Sequence, residues 1–238
     1  MDAQFPKVIA AGEEAALIYL ADQSGDTVLS SIQQLCANLE QAKPPWLVEL
    51  VPSFTSLMVY YDVLQANFSQ VQAQLNQLFE NSGQAEGAAF GRTLQIPVYY
   101  GDEVAEDLGR VSEATGLSPE QIIQLHTSTD LRVYALGFRP GFGFMGSLPK
   151  QLRVPRLATP RQRVPKGAVA IAEAQAAVYP DVSPGGWNII GRCPISMFNR
   201  RTNPPAPFLQ VGDRVTFTAV GRSQFLELAE ENGGEISL

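Results

Sequence analysis

The sequence is poor in the residues that most often build metal sites and covalent frameworks. Its 238 residues include one histidine and two cysteines, Cys36 and Cys193, which lie far apart. A structural zinc site needs four clustered His or Cys ligands, and a disulfide framework needs several pairs of cysteines. Both are excluded, and the thiols are expected to be reduced, as in the cytoplasm.

Several catalytic motifs are also missing. The chain has no Gly-X-Ser-X-Gly nucleophile elbow and no phosphate loop of the Gly-X-X-X-X-Gly-Lys-Ser/Thr type. The glycine-rich stretch from Gly137 to Gly146 does not match a dinucleotide fingerprint. Any chemistry that uses ATP would therefore need a different phosphate cradle or a partner protein.

Long apolar runs and excess positive charge are absent as well. No apolar run approaches the ~20 residues that span a membrane, and Met1–Lys7 shows no basic region followed by an apolar core, as secretory signals do. The net charge of −7 argues against general nucleic-acid binding. We therefore expect a cytoplasmic globular protein that binds neither membranes nor nucleic acids.

The first part of the chain alternates between apolar strands and amphipathic helices. Strands are predicted at Ala15–Leu20, Leu47–Val51 and Ser56–Tyr61, and helices at Asp26–Gln41 and Val63–Phe79. This β-α-β-β-α order suggests a small ferredoxin-like α+β domain over residues 1–90, with Leu94–Tyr99 as a candidate last strand. A polar stretch, Asn81–Gly87, is expected to link it to the next domain.

The second part, residues 91–238, changes character. Two helices are predicted, at about Asp102–Thr115 and Pro119–Leu125, and Ser118 before Pro119 is a strong helix-start signal. Short strands that glycine and proline interrupt are predicted at Arg132–Phe138, Ala168–Ala172, Ala176–Tyr179, Trp187–Gly191 and Arg214–Val220. This pattern is typical of a closed β-barrel, which makes the fold class α+β.

Basic residues are concentrated in the same region. Between Leu131 and Pro207 there are eleven basic residues and only two acidic ones, in a chain that is acidic overall. Such a segment can attract anions or bind an acidic partner. The alternative is a set of solvated arginines distributed around a barrel.

Turn-forming clusters in this region carry aromatic rings and arginines, as a site for a small, planar, anionic ligand requires. Glycine after proline frees backbone N–H groups to bind oxyanions, and Arg161 and Arg192 are candidate fixed cations. The alternative is a β protein with many turns, in which the aromatic side chains fill the core. Binding candidates from this pattern are Phe138, Pro140, Gly141, Phe142, Arg161, Tyr179, Pro184, Gly185, Gly186, Trp187 and Arg192.

His126 is the one histidine, and near neutral pH it is the natural candidate for moving a proton in catalysis. It follows the end of a predicted helix and precedes the Gly137 cluster. The alternative is a structural, hydrogen-bonding histidine. Both interpretations remain open at this point.

Taken in order, these motifs resemble the family of 5-oxoprolinase B subunits, also called KipI-like or allophanate hydrolase subunit 1. The matching elements are His126, Gly-Phe-X-Pro-Gly-Phe at 137–142, Pro-Arg at 160–161, Val-Pro-X-Gly at 164–167, Gln175, Tyr-Pro at 179–180, Pro-Gly-Gly-Trp at 184–187 and Gly-Arg at 191–192. The resemblance adds Gln175 to the binding candidates.

The resemblance implies a cyclophilin-like β-barrel after the small α+β domain. It also implies two partners, a C-type subunit (allophanate hydrolase subunit 2) and an A-type subunit, and the three together open 5-oxoproline to glutamate with ATP. Related domains form the carboxyltransferase part of urea carboxylases. One branch of the family instead inhibits a sensor histidine kinase.

The chain departs from the family pattern at Ala168, Ala176 and Cys193, where the family usually carries hydroxyl residues. Because these hydroxyls are possible ligand hydrogen-bond groups, a different substrate or a regulatory role is an alternative to 5-oxoproline hydrolysis.

Overall fold

The structure is a computed structural model that describes residues 5–81 and 91–238. Its internal contacts divide the chain into two units, Met1–Phe90 and Gly91–Leu238. The predicted linker Asn81–Gly87 lies almost entirely outside the described residues. Among the residues described, no helix is both long and apolar enough to cross a membrane.

The first unit is an antiparallel sheet with two helices. Its elements are β1 (Lys7–Ala10), β2 (Ala15–Tyr19), α1 (Asp26–Ala42), β3 (Leu47–Ser53), β4 (Ser56–Tyr61) and α2 (Phe68–Asn81). The strand order within the unit is β1-β2-β4-β3. Strand β1 is only four residues long, and the sequence pattern does not predict it.

Helix α2 begins later than predicted, at Phe68 rather than Val63. Asn67 and Gln70 explain this boundary, because each side chain accepts a hydrogen bond from the backbone N–H of the other, at 3.0 and 2.9 Å. This reciprocal capping satisfies two free donors of the first helical turn. The helix then contributes Val71 and Leu75 to the core of the unit.

The second unit contains the remaining elements. They are β5 (Thr93–Val98), α3 (Leu108–Thr115), α4 (Pro119–Ser128), β6 (Leu131–Leu136), β7 (Gly143–Gly146), β8 (Arg161–Val164), β9 (Ala168–Ala172), β10 (Gln175–Val178), β11 (Ser183–Gly185), β12 (Asn188–Arg192), β13 (Phe198–Asn199), β14 (Ala206–Pro207), β15 (Arg214–Ala219) and α5 (Arg222–Glu231). Helix α4 begins as predicted, since Ser118 forms a complete capping box with Gln121. Helix α5 was not predicted.

The large sheet of this unit runs β5-β15-β6-β7-β10-β9-β12 and is antiparallel except for the parallel pair β5–β15. Strand β5 therefore belongs to the second unit, and the suggestion that Leu94–Tyr99 completes the first unit is wrong. Its parallel partner lies more than a hundred residues away, beyond the reach of local sequence patterns. An antiparallel bridge also joins Tyr99, just after β5, to Arg192 at the end of β12.

Strand β9 is buried on both faces, and this burial positions the candidate site. Val169 and Ile171 point into the main core of the unit. Ala168, Ala170 and Ala172 belong to a second, smaller apolar cluster on the opposite face, as the alternation of side chains along a strand requires.

Candidate functional site

Five aromatic side chains meet on the alanine face of β9, and Phe142 lies at their centre. Its ring centroid is 4.9 Å from that of Phe144, 5.3 Å from Tyr179 and 5.8 Å from Trp187. Phe138 is 5.2 Å away. All four contacts are edge-on, the arrangement that aromatic quadrupoles favour. We call Phe138, Phe142, Phe144, Tyr179 and Trp187 the aromatic cluster.

Small residues make room for these rings. Ala168 and Ala170 of β9 and Ala177 of β10 are buried in contact with the cluster. Gly141, in the turn before β7, has a φ of +87° and lies against the carbonyl of Met197, where a Cβ would overlap. Glycine is required there for both reasons. The Pro140-Gly141 turn therefore holds Phe142 in place, while Pro140 itself is exposed.

Phe138 differs from the other four rings because it is 61% exposed. Its φ of +68° is in the left-handed region, which costs a non-glycine residue about 1–2 kcal/mol. Because its ring is exposed and its backbone is strained, Phe138 contributes little to the stability of the protein. It forms the outer end of the aromatic cluster.

The segment Pro184-Gly185-Gly186-Trp187 lies beside the cluster, but it is not the turn that the sequence suggests. Ser183–Gly185 is strand β11, paired with β8 so that Gly185 lies opposite Arg161. Pro184 and Gly185 therefore belong to a strand, and Gly186 and Trp187 lie between β11 and β12. Gly185 is needed instead for close packing, since a Cβ there would overlap the Tyr179 hydroxyl. The Gly186 carbonyl accepts a hydrogen bond from Leu157 N–H at 2.7 Å.

Two basic side chains lie close to Tyr179 and Trp187. The guanidinium of Arg156 is 5.8 Å from the centroid of the Trp187 ring, a cation–π distance. Burial raises the pKa of Tyr179, while a hydrogen bond with the Trp187 backbone and the charges of Arg156 and Arg161 oppose that increase. The aromatic cluster therefore has a cationic side.

Arg161 is held by two acidic residues of this chain. Its Nη2 donates to Asp107 Oδ1 at 2.8 Å, and its Nε is 3.2 Å from Glu106 Oε2. Asp107 also accepts from Ile189 N–H at 2.7 Å through Oδ2. The hydrogen bond to Asp107 is the largest cause of a raised pKa at Arg161. Two of the three guanidinium nitrogens of Arg161 therefore have internal partners, and the third, Nη1, is buried without a hydrogen-bond partner among the described residues.

Arg192 is almost fully buried, and its Nη1 donates to the carbonyl of Ser237 at 2.8 Å. Burial lowers the pKa of Arg192, and the Glu106 carboxylate opposes that shift. In the β9–β12 ladder Arg192 lies opposite Ala168, on the face that carries the aromatic cluster. Arg161 and Arg192 therefore share one acidic neighbour, Glu106, and within the described residues the Nε of Arg192, like the Nη1 of Arg161, is buried without a hydrogen-bond partner.

His126 does not line this face. It is fully buried, its Nδ1 lies 2.7 Å from the Tyr100 hydroxyl, and its ring stacks on Phe217 at 4.4 Å. Burial lowers the pKa of His126 to about 3. Because a proton carrier must reach its substrate and titrate near the working pH, the structure favours the structural interpretation of His126.

Gln175 lies at the far end of β10 from Tyr179, opposite Ala172 and Gly146. It shares the alanine face but is separated from the Tyr179 end by the length of the strand. The structure thus brings together the aromatic rings, Gly141, Gly185 and Arg161. Gln175 lies at the far end of β10 from these residues, and His126 is buried against Tyr100 and Phe217.

Two polar side chains that no sequence motif indicates, Asp107 and Asn188, hold this region together. Asp107 connects Arg161 to β12, and it also explains why α3 starts at Leu108 rather than Asp102, since Asp107 N–H donates to Ile189 O at 2.8 Å. Asn188 is fully buried and donates to the carbonyls of Pro155 and Ile171 at 3.0 and 3.1 Å, while Arg110 donates to it. No local sequence motif identifies such long-range pairs.

Comparison with known proteins shows what this chain is similar to. Residues 6–208 match the family model described as "Carboxyltransferase domain, subdomain C and D". The chain is 34% identical over 231 residues to the B subunit of 5-oxoprolinase from Bacillus subtilis (strain 168), covering 93% of this chain and 95% of that protein.

Two solved structures are also similar. TTHA0988 aligns with a TM-score of 0.76 at 33% identity over 88% of this chain, which spans 40% of the length of TTHA0988. Urea carboxylase of Kluyveromyces lactis aligns with a TM-score of 0.78 over 97% of this chain and 23% of its own length. At 17% identity, this second likeness concerns the fold alone.

Proposed function

This chain belongs to the carboxyltransferase-domain (subdomain C and D) family and is a relative of the 5-oxoprolinase B subunits, and from this premise we propose that it is one subunit of an ATP-dependent amide or lactam hydrolase. The proposed substrate is 5-oxoproline, which is opened to glutamate. The proposed partners are the C-type and A-type subunits that such a hydrolase requires.

The observation that supports this proposal beyond the family name is that three candidate reacting side chains, His126, Arg161 and Cys193, do not form a catalytic set within the described part of the chain. His126 is buried with a pKa of about 3, and Arg161 is paired with Asp107 and Glu106. Cys193 is fully buried, and burial raises its pKa to about 12, so it is not a nucleophile at neutral pH. The reacting groups would then come from a partner.

ATP does not fit the residues that this chain offers. The sequence has no phosphate loop, and the two candidate cations beside the aromatic cluster, Arg161 and Arg192, both donate to groups of this chain. We therefore assign ATP binding to one of the partners.

The surface that we propose for the partner or substrate is the outer end of the aromatic cluster. Phe138 and Pro140 are exposed there, Arg156 lies over Trp187, and Phe142 and Tyr179 support them from below. An exposed aromatic ring beside arginines is the composition of interaction hot spots. In this proposal Arg161 and Arg192 act by positioning β8 and β12 rather than by touching the ligand.

Two finer features of the fold also belong to this proposal. A cyclophilin-like barrel for the second unit is supported by the Tyr99–Arg192 bridge, which joins the two ends of the strand order. A ferredoxin-like first unit is supported by its β2-α1-β3-β4-α2 segment.

The test is reconstitution with the C-type and A-type subunits. We expect 5-oxoproline-dependent ATP hydrolysis and glutamate release only when this chain is present, and none from the chain alone. A complete complex that turns over no 5-oxoproline would overturn the substrate. Failure to assemble, combined with inhibition of a sensor kinase's autophosphorylation, would favour the regulatory branch of the family instead.

A further inference from the structure

A second site lies in the second unit, away from the aromatic cluster. It is a groove of about 510 Å³ between the β13–β14 hairpin and the end of helix α5. This volume lies within the ~300–1,000 Å³ of small-molecule sites. Three arginines line the groove, Arg92, Arg200 and Arg201, and so do two acidic residues, Glu231 and Glu235.

Most of these charges already have a partner. Arg92 binds Asp213 through Nε at 3.2 Å and through Nη2. Arg200 pairs with Asp181 at 2.7 Å and lies over the Phe198 ring. Lys166 pairs with Glu235. Within the part of the chain that is described, the side chains of Arg201 and Glu231 form neither a hydrogen bond nor an ion pair, although the charge of Arg201 helps to lower the pKa of Glu235 in the same groove. Arg201 and Glu231 are therefore the cation and the carboxylate of the groove that have no direct partner.

The two remaining charges both lie near the carboxyl end of α5. Glu231 is the last residue of α5. Gly233 follows Glu231 by two residues, and the Nη2 of Arg201 lies 3.2 Å from the position that a Cβ of Gly233 would occupy. Gly233 and Gly234 have φ values of +99° and +66°, so the chain turns sharply here and leaves space for the guanidinium. The carboxyl end of a helix also favours a cation nearby.

One cation and one carboxylate without direct partners in a small groove match a ligand that carries both charges. We propose that this groove binds a small zwitterion, a free α-amino acid or a short peptide, with Arg201 holding the carboxylate and Glu231 together with the α5 carboxyl end holding the ammonium. The proposal does not depend on the proposed hydrolase function. Since both groups are exposed to water, where each ion pair contributes little, the expected Kd is about millimolar.

The test is an NMR titration of the full-length, ¹⁵N-labelled chain with three probes. L-alanine carries both charges, acetate carries only the carboxylate, and ethylammonium carries only the amine. We expect saturable shifts at residues 199–202 and 231–235 with L-alanine, and affinities at least about fivefold weaker for the other two probes. Arg201→Gln and Glu231→Gln should each weaken L-alanine binding about fivefold.

Arg214→Gln and Glu227→Gln are matched controls, since neither residue lines the groove, and both should bind L-alanine like the wild type. Absence of saturable shifts up to about 50 mM L-alanine would overturn the proposal. Equal affinity for acetate would overturn it too, because the groove would then be a plain anion site. The three probes on the wild-type protein decide the matter even if a variant fails to fold.

Discussion

The hydroxyl of Tyr179 occupies the space that a Cβ at position 185 would need, so the Tyr179 side chain fits only because residue 185 is glycine. This contact joins β11 to the aromatic cluster. It also explains Gly185 of the Pro-Gly-Gly-Trp motif by packing rather than by turn geometry, since Gly185 has no positive φ.

Gly185→Ala should therefore destabilise the protein. Overpacking of this kind costs about 1–3 kcal/mol, which corresponds to a decrease in Tm of about 2–12 °C for a chain of this size. Thermal unfolding followed by circular dichroism measures it. Gly186→Ala is the control, because a Cβ there would lie 3.6 Å from Pro160, an ordinary contact. Equal Tm values for the two variants would contradict this account.

Arg161→Ala should lower the free energy of unfolding, because Asp107, whose side chain is only 6% exposed, would lose its hydrogen bond from Arg161. Loss of a hydrogen bond to a charged group costs about 1.5–3 kcal/mol, and urea denaturation would measure the decrease in unfolding free energy. Arg163→Ala, an exposed arginine on the same strand, should have almost no effect. In the background of Asp107→Ala, Arg161→Ala should cost much less, and full additivity of the two changes would contradict the pairing.

The burial of His126 should make the free energy of unfolding depend on pH in a specific way. Its folded-state pKa of about 3 is below the unfolded value of about 6.5, so only the unfolded chain gains this proton as the pH falls below 6.5. The contribution of neutral, buried His126 to the free energy of unfolding is therefore fully present above pH 6.5 and declines toward pH 3. The contribution of His126 to the loss between pH 7 and pH 5 should be about 2 kcal/mol.

Urea denaturation of the wild type and of His126→Phe at both pH values isolates this contribution, because the carboxylates are common to the two proteins and the chain has no other histidine. The variant should have the smaller difference between pH 7 and pH 5. Identical differences, or a wild-type histidine resonance that titrates between pH 5 and 8, would show that His126 is accessible to protons.

Phe138→Gly separates stability from recognition. Relief of the left-handed strain, about 1–2 kcal/mol, offsets loss of the edge contact with Phe142, about 0.5–1.5 kcal/mol, so the unfolding free energy should change little. Binding to the C-type partner should nevertheless weaken by at least about tenfold. Surface plasmon resonance measures this, with Leu64→Ala, an 89% exposed residue of the first unit, as the control. An unchanged affinity would remove Phe138 from the proposed surface.

The candidate site was predictable where its residues are neighbours in sequence or carry a distinctive motif. The ordered Gly-Phe-X-Pro-Gly-Phe and Pro-Gly-Gly-Trp motifs located Phe142 and Trp187, and the family resemblance that they suggested is confirmed. Asp107 was not predictable, because it lies 54 residues from Arg161 and no local pattern joins the two. The role of Gly185 depends in the same way on Tyr179, which lies outside its strand.

By itself the sequence determined the family, the mixed α/β character and the positions of most helices and strands, because periodicity, capping residues and turn residues act over a few positions of the chain. The tertiary structure alone decided that β5 pairs with β15, that His126 is buried against Phe217 and that Arg161 is neutralised by Asp107 and Glu106. Burial and charge pairing depend on residues that only folding brings together, and these set whether an ionisable side chain is free to react.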